Sequence, residues 1–412
     1  MSQRLSLFFF FLLFPGVFFY SSAVAAGLIP AVLGGGFGIV ASIALVALLP
    51  LLFVDIIKLR GKSLLVTTLF FILVLYTLFW LLIHHFLGDT FQKRLDVFFQ
   101  VATVIAAWLT LFSIGYFWPL NLSKGYISVL LICLGGITLI VFMNIDFRRL
   151  IFLFGLSDAD GALSYQGLSR SAAVTGLVLL SVIRSIRLSF ILAVLLLTTV
   201  FFIGARSELV GVVAVLPFIA YLHYRHRPLA TVSAVLVVSM VVLSVAGYSY
   251  DKLSTSRQFQ LLNISESSSG MARASMFNQA METIKESPVL GDFAGQVRRH
   301  DSTGAYAHNA LSAWRQFGVV GFVLYLSLSF ISLALSIRLV RQRQNQEADL
   351  PRIAATLSLF TLILMLGAKS VFWVFPALAW GLTVACYRYK TIATPTKQPA
   401  EGNSRFIKSC IN

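Results

Sequence analysis

Twelve long apolar runs, separated by short segments that hold most of the charge, constrain this chain more than any other feature. They lie near residues 5–26, 28–54, 63–87, 97–118, 125–144, 171–187, 188–204, 208–223, 229–248, 317–337, 353–368 and 371–387. A helix needs roughly 20 apolar residues to cross a bilayer, and a chain of 412 residues that is 58% hydrophobic supplies about a dozen such helices. Charged residues make up only 12% and cluster between the runs, so a soluble fold is excluded. No run alternates with the period of two that a barrel strand requires. The expected fold class is all-α, a polytopic membrane protein with about 12 transmembrane helices.

Several runs are tight pairs, as across Arg184 to Arg187 and across Gly204-Ala205-Arg206-Ser207-Glu208, which predicts helical hairpins. With the N-terminus inside, eighteen of the 32 basic residues fall on the cytoplasmic side. Seven fall in short loops on the other side, and seven in one long loop that the positive-inside rule does not count. Both termini are therefore expected in the cytoplasm. Residues 1–26 also read as a signal peptide, with Arg4, a Phe-rich core and the small residues Ala23-Val24-Ala25-Ala26. An uncleaved first helix is the expectation, and cleavage would leave every later span in the same orientation.

This pattern divides the chain into residues 1–248, with spans one to nine; 249–316, a long outer-face loop; 317–390, with spans ten to twelve; and 391–412, a cytoplasmic tail. Long loops usually carry a binding or catalytic task, so function is expected in the 249–316 loop. The net charge of +16 does not require nucleic acid, because cytoplasmic retention and attraction to anionic membrane lipids account for the basic loops. Cys133, Cys386 and Cys410 have no disulfide or metal-site spacing. No P-loop, Cys/His cluster or Asp-rich motif is present, so neither a metal nor another cofactor is expected. None of the 16 acidic residues lies in the middle of a span, which weighs against a proton-relay transporter.

Three constellations remain. Met271 to Glu286 has helical spacing, with Phe277, Ala280, Met281 and Ile284 on one stripe and Pro288 beyond its end. Arg273 lies one turn before Phe277 and is read either as a snorkelling side chain or as an inward anion ligand. Arg206 is either paired with Glu208 or aimed at an anion, to which an arginine's planar fork is well suited. In Ala307-His308-Asn309-Ala310-Leu311, Asn309 is a candidate N-cap. His308 then lies beside a helix N-terminus, where the neutral imidazole is favoured, and it reads either as a structural hydrogen-bonding group or as a base. Arg298 and Arg299 are further basic residues nearby, read as accessory phosphate ligands or as a solvated patch.

Taken together, Arg206 in its small-residue turn, Arg273 leading into Glu286-Ser287-Pro288-Val289-Leu290-Gly291, and His308-Asn309 with Leu311, Gly318 and Gly321 resemble the O-antigen ligase superfamily. The similarity is strongest over about 200–325. The resemblance implies a GT-C-like glycosyltransferase of the bacterial inner membrane, metal-independent and inverting, whose active site opens on the periplasmic face. Its donor would be a glycan on undecaprenyl diphosphate and, for a ligase, its acceptor a hydroxyl of lipid A-core. By the same resemblance Arg206 and Arg273 would hold the diphosphate. His308 would assist the acceptor hydroxyl, with Asn309, Arg298 and Arg299 as accessory candidates. Two departures stand out. Gly204-Ala205 precedes Arg206 where relatives carry a Thr-Gly-Ser turn, and Asp292-Phe293-Ala294-Gly295 stands where they carry Gly-x-Gly. An O-antigen or other surface-polysaccharide polymerase is the nearest alternative, and a polysaccharide transporter without catalysis is the alternative outside the class.

Overall fold

Inside a bilayer a chain satisfies its backbone hydrogen bonds only within helices or a closed barrel, and this chain takes the helical solution. The computed structural model describes residues 1–30, 37–87, 90–146, 151–153, 165–224, 268–300, 307–342 and 348–393. The first span joins α1 (Ser2–Phe11) to α2 (Val17–Ala25) through a π-helical turn at Leu12–Gly16 that accommodates Pro15. Then come α3 (Phe37–Ile56), α4 (Gly61–Leu87), α5 (Phe91–Tyr116) and α6 (Lys124–Met143). A two-residue antiparallel pair follows, β1 (Ile145–Asp146) against β2 (Ile151–Phe152). After it come α7 (Tyr165–Val182), α8 (Ile186–Ile203), α9 (Arg206–Tyr224), α10 (Ser268–Glu286), α11 (Gly295–His300), α12 (Leu311–Arg341), α13 (Asp349–Gly367) and α14 (Pro376–Ala393).

Among the described residues nine helices are long and apolar enough to cross a membrane, counting Ser2–Ala25 as one. Helices α7 and α14 occupy two further expected spans, and the expected span at 229–248 lies outside the described residues. Both α7 and α14 are buried along most of their length and rich in Ser, Thr, Ala and Gly, the composition of helices packed inside a bundle rather than against lipid. At the crossing of α5 and α14 the backbones meet at Gly115 and Gly381. A Cβ on Gly115 would press into the backbone of Leu378 and Leu382, and one on Gly381 into that of Phe112 and Tyr116. Phe70 stacks on Phe112 beside this crossing, with ring centroids 4.1 Å apart.

Charged pairs tie the helices together at the end of the bundle opposite the 287–300 segment. Arg388 Nη1 lies 2.8 Å from Asp55 Oδ2. Asp349 accepts from the Leu122 amide at 3.1 Å and from Arg352 Nη2 at 3.2 Å. Arg352 in turn contacts His223 at 3.3 Å.

At the other end α12 is broken at Gly318, whose φ of 65° and ψ of −171° only glycine adopts readily. The expected span from 317 thus begins at the break, and Leu311 to Phe317 form a separate first segment. Three polar groups of the chain at the break have partners from outside the helix. Tyr76 Oη donates to Phe317 O at 2.9 Å, Val319 N to Pro288 O at 3.1 Å, and Asp292 N to Arg315 O at 2.6 Å. The turn at residues 287–292 seats directly on the break, so a Cβ on Gly318 would overlap the Val289 carbonyl and one on Gly291 would overlap the Gly318 amide. Gly291 also has positive φ, 76°. Gly318→Ala is expected to destabilise the protein by about 3 kcal/mol, from backbone strain plus the lost close approach. Thermal unfolding of the detergent-purified protein measures this, and an unchanged Tm would contradict it.

Candidate functional site

The approach to α12 is organised by Asn309. Its Oδ1 accepts from the Leu311 amide at 3.1 Å and its carbonyl from the Ser312 amide at 3.1 Å, so Asn309 caps the helix as its residue type leads one to expect. Ser312 Oγ then accepts from the Val371 amide at 2.7 Å. That bond fastens the turn between α13 and α14 to the start of α12, which brings Lys369 toward His308 from sixty residues away. His308 is partly buried. Burial, and then the charges of Arg273 and Lys369, hold its pKa below the ordinary histidine value. The imidazole is consequently neutral at pH 7 and able to accept a proton.

Lys369 lies in a second set of contacts that the sequence reading did not assign. It is 6% exposed, its Nζ is 2.7 Å from Glu208 Oε1, and it donates to Gln166 Oε1 at 3.3 Å. Glu208 has no exposed surface; Ser207 Oγ donates to its other oxygen at 2.7 Å, and Arg170 Nε lies 3.9 Å from the first. The Arg170 guanidinium is 4.5 Å from the Phe375 ring centre, a cation–π contact that fixes its plane. Burial lowers the Lys369 pKa to about 8, with Glu208 opposing the shift and Arg170 and Arg273 adding to it. Arg206 opens α9 two residues before Glu208, directly after Gly204 turns the chain out of α8 with a φ of 94°. The Glu208 carboxylate is thus engaged by Lys369 and Ser207.

Arg273 is exposed on α10, yet its charge acts on both His308 and Lys369. The buried face of α10 carries Ala280, Thr283 and Ile284, while Phe277 stays 40% exposed. The apolar stripe expected from the sequence is therefore rotated by about one position at its N-terminal end. Arg298 and Arg299 belong to a separate group. Arg298 pairs with Asp292; Arg299 Nη2 lies 3.2 Å from Asp292 and 3.6 Å from Glu286, and its Nη1 donates to Thr283 Oγ1 at 2.6 Å.

His308, Arg273 and Lys369 are thus mutually within electrostatic reach, with Arg170 and Glu208 acting on Lys369. The contributors Gln166, Arg170, Glu208 and Lys369 come from the starts of α7 and α9 and the turn after α13. Glu208 stood out in the sequence only as a possible partner of Arg206; Arg170 and Lys369 were lone charges near apolar runs, which mark any of several helix ends, and the neutral Gln166 gave no signal.

The fold and site define a multi-pass, α-helical membrane protein with a cationic cluster and a neutral histidine at one end of its bundle. A family model described as O-antigen ligase matches residues 191–326, the stretch that holds Arg206, Glu208, Arg273, His308 and Gly318. No curated protein matches the chain significantly. The likeness to that family extends over this stretch, about a third of the chain.

Removing the Glu208 carboxylate leaves Lys369 and Arg170 without their shared acid, so Glu208→Ala is expected to destabilise by about 3–5 kcal/mol. A second change, Lys369→Met, is expected to recover part of the loss. Thermal unfolding of both variants measures it, and a neutral single variant would show that the ion pair does not hold these helices.

Proposed function

We propose that the protein is an O-antigen ligase, transferring a glycan from undecaprenyl diphosphate to a hydroxyl of lipid A-core on the periplasmic face of the inner membrane. The observation that carries the reading is a histidine kept neutral by burial and by Arg273 and Lys369, inside the stretch that matches the O-antigen ligase family. In this reading Arg206 and Arg273 bind the donor diphosphate, and Lys369, held in place by Glu208 and Gln166, adds a third cation. An ammonium has three donors, and Glu208 and Gln166 take two. The acceptor oxygen attacks the anomeric carbon as the carbon–oxygen bond to diphosphate breaks, with inversion. The hydroxyl proton passes to His308, and the leaving group's growing charge is met by fixed cations. Diphosphate leaves readily, so the transfer requires neither a metal nor a nucleotide. Asn309 fixes the backbone that carries His308 through its bond to Leu311.

Lipopolysaccharide gels and extracted lipid-linked glycan from a deletion strain test the reading. Wild type should restore the ladder. His308→Ala should not restore it, although it retains donor binding, and long glycan should accumulate on undecaprenyl diphosphate. A core bearing a single repeat would instead identify a polymerase, and full activity of His308→Ala would point to transport.

The pH profile of kcat/KM is a second check. Its acid limb reflects protonation of His308 and falls below the ordinary histidine value near 6.5. Its alkaline limb, near pH 8, reflects loss of the Lys369 proton and hence of one cation for the diphosphate. Lys369→Gln should lower kcat/KM, remove the alkaline limb and move the acid limb to higher pH, because one of the charges that depress the His308 pKa is gone.

A further inference from the structure

Seven residues beyond His308, on the first segment of α12, Arg315 has 0% of its surface exposed. Among the described residues none of its three guanidinium nitrogens has a hydrogen-bond partner. The charge that acts on it is another cation, Arg299. An arginine does not shed its proton inside a protein, and a buried cation with neither acceptor nor counter-charge is strongly unfavourable. Other arginines among the described residues obey the rule. Buried Arg352 donates to Ala348 O at 3.3 Å and to Asp349 at 3.2 Å, and the partly buried Arg388 pairs with Asp55 at 2.8 Å. The acid next to Arg315 is already taken: Asp292 gives its amide to Arg315 O but its carboxylate to Arg298 and Arg299.

This group is electrically distinct from the one around His308. The charges acting on His308 are Arg273 and Lys369, and those acting on Lys369 are Glu208, Arg170 and Arg273; neither set includes Arg299 or Arg315. His308 lies before α12, and Arg315 stands one turn inside it, a rise of about 6 Å from Leu311.

We propose that Arg315 and Arg299 form a second anion site, separate from the donor diphosphate, that binds a phosphate group carried by the sugar acceptor. Two guanidinium groups suit phosphate because each presents paired donors in a fixed plane. A phosphorylated oligosaccharide with its reactive hydroxyl at His308 would place its phosphate at Arg315, on the helix that follows the histidine. The assignment to the acceptor rests on the ligase reading. The anion site does not.

The test uses the full-length protein in uncharged detergent, with Arg206→Gln, Arg273→Gln and Lys369→Gln introduced to disable the donor site. Inorganic phosphate is expected to raise the Tm of this protein by about 2 °C. Adding Arg315→Met is expected to abolish that rise, and to increase the Tm measured without phosphate, because an apolar side chain of similar length replaces an unpartnered buried charge. Arg299→Gln, at a position 42% exposed and so safe for folding, is expected to weaken phosphate binding roughly tenfold. A phosphate-dependent rise that survives Arg315→Met would overturn the site, as would a lower phosphate-free Tm for that variant. Steady-state transfer then assigns the source of the phosphate, in a protein with Arg206, Arg273 and Lys369 intact. A KM increase in Arg299→Gln for intact acceptor but not for phosphatase-treated acceptor supports the acceptor. An equal effect on both would overturn that assignment in favour of a lipid headgroup while the site stands. If no transfer occurs with any acceptor, the ligase reading fails and the Tm comparison still decides the site.

Discussion

The seating of the 287–292 turn on the broken helix at Gly318 is the contact on which the functional end of this molecule depends. A helix interrupted at membrane depth exposes amides and carbonyls that nothing in hydrocarbon satisfies. Here the partners come from two directions, Tyr76 on α4 and the Pro288 and Asp292 backbone of the loop. The two glycines allow main chain to meet main chain, with Gly291 over the Gly318 amide and Gly318 under the Val289 carbonyl. Loop and helix thus complete each other. Trp314 reinforces the joint by donating to Pro288 O at 2.8 Å, and Gln316 by accepting from the Ala294 amide at 2.9 Å while donating to Gln296 at 2.7 Å. The positions of His308, Arg298, Arg299 and Arg315 all follow from this joint, because each lies within about ten residues of it in sequence.

Charge is distributed differently at the two ends of the bundle. At the far end the acids Asp55 and Asp349 take up Arg388, Lys58, Arg352 and Arg184, at distances from 2.8 to 3.9 Å. These contacts join α3 to α14, and α13 to the connection between α7 and α8, so their role is to hold helices together. At the site end, among the described residues, Glu208 faces Lys369 and Arg170 with Arg273 close by, and the second group sets Asp292 and Glu286 against Arg298, Arg299 and Arg315. Cations outnumber acids in both groups, as they do at the far end. What sets the site end apart is Arg315, a fully buried guanidinium that none of these acids meets.

The helices were legible in the sequence because a bilayer makes long apolar runs nearly unambiguous, and eleven of the twelve expected spans fall on described helices. The motif around His308 was legible because its parts are local. Asn309 caps the helix that follows, and Gly318 marks the break ten residues later. The charge cluster was only half legible. Arg170, Glu208 and Lys369 are far apart in sequence, and nothing local distinguishes them from the many basic residues at other helix ends. Their meeting is decided by the packing of α7, α9 and α13, a long-range property. Phe277 shows the complementary limit: helical spacing identified α10 correctly, but which residues of that stripe are covered depends on how far α12 extends beside it.

Arg315 carries the same lesson further. In the sequence it is one of seven basic residues in a loop whose charge count carries no topological weight, and its spacing marks it as nothing unusual. Only the fold reveals that it is enclosed, and only the bonding of its neighbours reveals that the local acid is committed elsewhere. A chain selected for stability alone would place a methionine or leucine there, since burying an apolar side chain of that volume is favourable and burying an unpartnered guanidinium is not. A cation at this position therefore reads as stability given up for recognition, in the same turn of chain whose glycine joint fixes the histidine. The two features require each other, because an anion held at Arg315 can orient a sugar toward His308 only if the segment between them is rigid, and the rigidity comes from Asn309, Ser312 and the break at Gly318.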